Sequence, residues 1–265
     1  MNTSNPENGK VSGKIVLAVE YASLNPNARE LAMALANQLQ IELVGLFFEG
    51  EDLLLSAQYP FSREIVSGSD ADRSTDMENM QRSLRAWSTH KQQQILEQAR
   101  KKNIKCSFQH LSDRQSAALL TQSDDDTLLV FSGFRVIHYP LQRQAHTVCL
   151  LVDDNSRLQQ SLSILNQIIP QGINHVVFID SGGATSQALI QETISQSHFA
   201  DTHYQVRKLS TQKPLEPSFA ETLKAVTRHH ATAFIIIPGG HRLLSMPESF
   251  KTLQQNLSCP VLIAG

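Results

Sequence analysis

Cysteine, tryptophan and net charge are all scarce in this chain of 265 residues. Its three cysteines, Cys106, Cys149 and Cys259, stand far apart, with no C-x-x-C pair and no nucleophile signature. That excludes a disulfide scaffold and gives no sign of a zinc knuckle or a thiol catalyst. Each lies in or beside an apolar run and reads as a small buried hydrophobe of a reducing compartment. A formal net charge of -2 exerts no overall pull toward nucleic acid or anionic lipid, so neither is expected as a partner. No apolar run approaches the roughly 20 residues that cross a bilayer. The opening MNTSNPENGK lacks the apolar core of a signal peptide, so the cytoplasm is the expected location and residues 1–12 the expected disordered end. The chain has no G-x-S-x-G elbow, no H-E-x-x-H helix and no G-x-x-x-x-G-K-[ST] loop, and its ten histidines do not cluster at ligand spacing. No metal site and no catalytic set is expected, and the chain is not read as an enzyme.

What is present is alternation. KIVLAVE leads into NPNARELAMALANQLQ, and about 130 residues later TVCLLVDD leads into NSRLQQSLSILNQII. Two similar strand-then-helix openings predict two related α/β modules. Asn25 and Pro26 are a cap and first-turn pair, followed by Ala28, Leu31, Ala32, Leu35, Ala36 and Leu39 at helical spacing. In the second opening Ser156 and Gln159 have the S-x-x-Q spacing of a capping box, before Leu158, Leu162, Leu165 and Ile169. The remaining apolar, β-branched runs predict first-half strands at 15–20, 41–48, 104–110 and 127–132, with a long helix over about 75–102. Second-half strands are predicted at 147–153, 175–180, 204–209, 233–238 and 260–264. Residues 49–76 read as irregular: LLLSAQYPF as a short amphipathic turn or helix, SGSDADRSTD as an exposed loop. Such βαβα order implies doubly wound, mainly parallel, flavodoxin-like sheets. The ligand crevice of each lies at the carboxyl ends of its first and fourth strands.

KIVLAVE with its Ala-rich helix, IELVGLFFE, and the ending SCPVLIAG resemble the universal stress protein family, over nearly the whole chain and as a tandem. The resemblance implies an α/β fold of two flavodoxin-like domains, 13–145 and 146–265, packed as a pseudo-dimer. A standard tandem would close the first domain with a fifth strand, yet only AHTVCLLVDD stands between Gly133 and the helix at Ser156. Either that strand is shared or one sheet is a strand short; Asp153, Asp154 and Ser156 match the family's first-turn pattern and assign it to the second domain.

ATP-binding members carry an Asp after the first strand and a spaced glycine set after the fourth, whose bare backbone and helix N-terminus hold phosphates. In the first half Glu20 and Tyr21 replace the acid and its small neighbour, and Ser132-Gly133-Phe134-Arg135 offers no second glycine. In the second half Asp153 is retained, and Pro238 is followed by Gly239, Gly240, His241 and Arg242. The family's final Gly and Ser fall on Pro247 and Glu248, and Ser245 to Glu248 has the spacing of a capping box that would satisfy the helix amides internally.

The expected function is that of a universal-stress-type protein acting through protein contacts in stress response or regulation, with degenerate nucleotide motifs and no cofactor. The alternative is a sensor that binds an adenine nucleotide, ATP or AMP, or a small anion. Its second-domain crevice would be built from Asp153, Gly239, Gly240, His241 and Arg242. A plain tight turn is the third reading of those glycines. The segment Leu53-Leu54-Leu55 to Tyr59-Pro60-Phe61 is either a binding surface for an unknown protein partner or a flap over its own fold. The family's habit of dimerising leaves a homodimer open beside the internal pseudo-dimer.

Overall fold

A computed structural model describes residues 13–19, 26–48, 55, 59, 63–65, 72–74, 77–111, 127–131, 147–154, 156–168, 175–180, 188, 190–192, 203–208, 223–224, 227, 232–257 and 259–265. The expectation for residues 1–12 lies outside these. The first-half strands are β1 (Lys14–Val19), β2 (Glu42–Phe48), β5 (Cys106–Leu111) and β6 (Thr127–Phe131). The second-half strands are β7 (Thr147–Val152), β8 (His175–Asp180), β9 (His203–Lys208), β10 (Thr232–Pro238) and β11 (Val261–Ala264). All nine join in one sheet, in the order β5-β2-β1-β6-β11-β10-β7-β8-β9.

Every pairing in that sheet is parallel except β6 with β11, where Val261 faces Phe131 and Ala264 faces Leu128. The two halves therefore meet edge to edge. β7 lies between β10 and β8, inside the second half. The strand that serves both halves is β11, which fills the place beside β6 where a fifth strand of the first half would stand. Because β6 and β11 run in opposite directions, the carboxyl ends of the two strand sets face opposite edges of the sheet.

Apolar runs make β1, β2, β6, β7, β8, β10 and β11 because both faces are covered, which favours continuous rather than alternating hydrophobicity; β5, reading CSFQHL at the edge of the sheet, is half-buried to exposed. Ile15, Leu17, Val19, Val148, Leu150, Val152, Phe234 and Ile236 point to one face, where they pack with α1 (Pro26–Leu39), the end of α2 (Met77–Lys101) and α3 (Leu158–Ile168). Val16, Ala18, Cys149, Leu151, Ile235, Ile237, Val261 and Ile263 point to the other, toward α4 (Pro247–Asn256). Phe131 at the end of β6 meets Phe250 of α4 edge-on, with ring centroids 5.2 Å apart. That contact ties the first half to a helix of the second. On β2, Gly45 leaves room for the Phe108 ring of β5: a Cβ there would lie 2.4 Å from it. The ring instead leans against Phe47 at 5.6 Å.

α1 and α2 stop by the same device. Gln40 (φ 54°) and Asn103 (φ 55°) take left-handed backbone, and the next amides, Ile41 and Ile104, donate to Ala36 O and Ala99 O.

Residues 63–65 and 72–74, expected to be irregular, form an antiparallel hairpin of β3 (Arg63–Ile65) and β4 (Asp72–Ser74). Strands of three residues reading REI and DRS carry too little apolar alternation to signal themselves. The capping box expected at Ser245–Glu248 does not form. α4 begins at Pro247 with Met246 as its cap residue and no side-chain cap, while the Ser245 hydroxyl donates back to Arg242 O at 2.7 Å. A one-turn 3-10 helix over Arg242–Ser245 comes first and turns Ser245 away from the helix that follows. Likewise Ser156 does not cap α3, which starts at Leu158; its hydroxyl turns back to Asp153.

Candidate functional site

β7 and β10 are neighbours, so the second half's first and fourth strands deliver Asp153 and the turn Pro238-Gly239-Gly240-His241-Arg242 to one spot. All five residues singled out from the sequence come together there. Asp153 is buried, 1% exposed, and both carboxylate oxygens are engaged within the chain. Oδ1 accepts from the Ser156 hydroxyl at 3.0 Å, and that hydroxyl accepts from the Asp153 amide at 2.9 Å. Oδ2 accepts from the Arg242 amide at 2.8 Å. The Arg242 Nε lies 3.5 Å from Oδ2, close enough for charge attraction, yet it is buried and has no hydrogen-bond partner among the described residues.

His241 Nδ1 is 3.7 Å from the same Oδ2, but the pair is not ionic near neutral pH. Nδ1 accepts the Leu243 amide at 3.2 Å, so it carries no proton, and the ring caps the 3-10 turn as a neutral imidazole. Burial pushes the His241 pKa down to about 4; Asp153 opposes that shift and Arg242 adds to it.

The two glycines serve different ends. Gly240 has φ 79°, a left-handed conformation that a turn needs and a side chain resists. Gly239 is required for close approach: a Cβ there would stand 3.0 Å from Ala264 O and 3.0 Å from the carbonyl carbon of Gly265. Its amide donates to Ala264 O at 2.5 Å, and its carbonyl accepts from the Arg157 amide at 2.7 Å.

A phosphate cradle needs free N–H groups pointing outward. Here the Gly239 amide bonds Ala264 O, His241 bonds Pro238 O, Arg242 bonds Asp153, Leu243 bonds His241 Nδ1, and Leu244 bonds His241 O. α4 then opens on Pro247, which has no N–H, and carries Glu248 in its first turn. Chemically this is a structural knot: the Asp153 carboxylate and the Arg157–Gly239 backbone bond join the two loops, while the Ser156 hydroxyl and the His241 imidazole each brace their own.

Two partners in that knot were not among the candidate residues. Ser156 matches the family's first-turn pattern and has helix-cap spacing in the sequence; the D-x-x-S spacing from Asp153 is the local signal for the turn it makes. Arg157 bridges to Gly239 through backbone alone, which no side-chain pattern announces. Asp180 is buried at the end of β8. Glu20, Tyr21, Ser132–Arg135 and the Ser181-Gly182-Gly183 turn lie outside the described residues. All three cysteines are free. Burial holds the Cys149 thiol up at about 11, beside Thr232 Oγ1 at 3.2 Å, and raises Cys259 further, which leaves both as unreactive thiols. Among the described residues no group of three His, Cys, Asp or Glu could hold a metal ion, and no helix is long and apolar enough to cross a membrane.

No protein-family model matches the chain, and no curated protein matches it. Solved structures do. A universal stress protein from Archaeoglobus fulgidus DSM 4304 superposes with a TM-score of 0.50 over 94% of this chain and 95% of that one, at 9% identity. Two chains from Pseudomonas aeruginosa superpose with a TM-score of 0.43. One, a putative universal stress protein of UCBPP-PA14, is 11% identical over 97% of this chain and 94% of its own. The other, the functionally unknown PA1789 of PAO1, is 12% identical over 96% and 92%. The chain has the α/β fold of a universal stress protein along almost its whole length; at such identity the likeness is one of fold.

Proposed function

We propose that the chain is a universal-stress-type protein that acts in the cytoplasm through protein contacts, in stress response or the regulation of a partner, without catalysing a reaction and without the ATP binding usual in nucleotide-binding members. The engagement of five amides between Gly239 and Leu244 within the chain supports this most. A nucleotide entering there would have to displace bonds that hold β7, β10 and β11 together. Contact surfaces are available elsewhere. Of the segment 53–61, the described residues Leu55 and Tyr59 are 53% and 69% exposed, which favours a binding surface over a flap.

A calorimetric and thermal-shift screen with ATP, AMP and cyclic nucleotides, on protein checked for bound nucleotide, tests the reading. No saturable binding and no phosphate release above a no-protein control are expected. Saturable binding that Asp153→Asn abolishes, or turnover of ATP, would overturn it. For the contact role, Tyr59→Ser is expected to lose whatever protein co-purifies with the wild type at stoichiometric amounts.

The alternative, an adenine-nucleotide or small-anion sensor in the second half, rests on Arg242. Its side chain is 39% exposed, and its Nε lacks a hydrogen-bond partner among the described residues. Chloride, phosphate or AMP that raises the melting temperature of the wild type but not of Arg242→Gln would favour this reading.

A further inference from the structure

On the α1 face of the sheet, away from the knot, a cleft of about 650 Å³ runs between α1, the last turn of α2 and the start of β10. Its volume falls within the range of small-molecule sites, about 300–1,000 Å³. β10 connects the two regions: Phe234 lines the cleft and Gly239 lies five residues on, about 16 Å away at about 3.3 Å per residue. Apolar side chains with almost no exposure, Met33, Leu35 and Phe234, contribute to its lining. Three cations, Arg29, Lys101 and Lys102, line it as well, against one acid, Glu30. Lys101 and Lys102 are exposed, whereas the Arg29 Nε is buried with no hydrogen-bond partner among the described residues. A buried guanidinium N–H without an acceptor is costly, and an anionic group supplies both acceptor and counter-charge.

We infer that this cleft binds an anionic amphiphile, with its acid head at Arg29, Lys101 and Lys102 and its apolar body over Leu31 and Ala34, which keep exposed surface above the core floor of Met33, Leu35 and Phe234. The charge balance selects an anion over a neutral ligand, and the apolar lining selects an amphiphile over a bare inorganic ion. The inference is independent of whether the second half binds nucleotide.

Displacement of the fluorescent sulfonate 8-anilinonaphthalene-1-sulfonate from the full chain provides the test, with dodecanoate, dodecyl phosphate and dodecanol as competitors below their aggregation limits. Dodecanoate, dodecyl phosphate or both should compete at one site per chain, and dodecanol of the same length at least ten-fold more weakly. The carboxylate and phosphate arms identify which head group is preferred. Lys101→Gln/Lys102→Gln, at two exposed positions, should weaken the acids ten-fold or more and leave dodecanol unchanged. Arg29→Gln should do the same, and Ala34→Trp, at an exposed lining position, should block all three. Equal competition by dodecanol, non-saturable probe binding, inorganic phosphate competing as well as dodecyl phosphate, or acids unaffected by the lysine pair would each overturn the inference.

Discussion

The knot at the carboxyl ends of β7 and β10 and the cleft beside α1 are both built around charge, but they treat it in opposite ways. In the knot, Asp153 is buried among donors that belong to the chain, and both of its oxygens are engaged. In the cleft, Arg29 is flanked by further cations and its Nε is buried without an acceptor among the described residues. A buried charge whose partners are internal contributes to holding the fold. A guanidinium N–H with no acceptor among its described neighbours is the place where a bound anion would stabilise most.

Substitutions should separate the two regions by the size of their effect on stability. Asp153→Ala removes the acceptor for the Arg242 amide and the Ser156 hydroxyl and is expected to cost about 4 kcal/mol in urea denaturation, as breaking a buried charged network does. A loss under about 1 kcal/mol would mean that the carboxylate is not the anchor. Gly239→Val drives methyl groups into the backbone of Ala264 and Gly265 and should cost about 3 kcal/mol, with a similar loss for the smaller Ala ruling out any reading in which only bulk matters.

Acid should act on the knot through His241. Its folded pKa, about 4, lies below the value of 6.5 it would have in the open. The unfolded chain therefore takes up the proton first, and stability falls as the pH drops from about 6.5 toward 4. The His241 share of that loss is about 3 kcal/mol at pH 4. His241→Gln should flatten this part of the profile in denaturation midpoints measured at pH 7, 5.5 and 4. In the cleft, Lys101→Gln should change stability by less than about 0.5 kcal/mol. A comparable loss at Lys101 and at Asp153 would erase the distinction between the regions.

The fold was largely legible because seven of the strands are buried on both faces, and their apolar runs of about four to six residues stand out in the sequence. α1 was readable from Pro26 and the Ala–Leu stripe to its last residue. The hairpin of β3 and β4 was not, since its backbone pairing needs no apolar pattern. That Asp153 and the turn at 239–242 share one spot followed from strand order. What they do there did not follow, because it depends on which amide meets which acceptor. Ser245 and Glu248 have capping-box spacing, yet the 3-10 turn seeded by His241 changes which residue begins the helix. The cleft was invisible for a related reason: Arg29, Lys101 and Phe234 belong to three elements with no common spacing.

β11 has a consequence for how the molecule comes apart. Val261 and Ile263 belong to the core on one face of the sheet, Leu262 and Ala264 to the core on the other, and the strand pairs with β6 and β10 at once. Neither half can lose it without exposing an inner edge of the other. A duplicated fold would ordinarily melt as two units, one after the other, whereas a seam strand common to both couples their unfolding into a single cooperative transition.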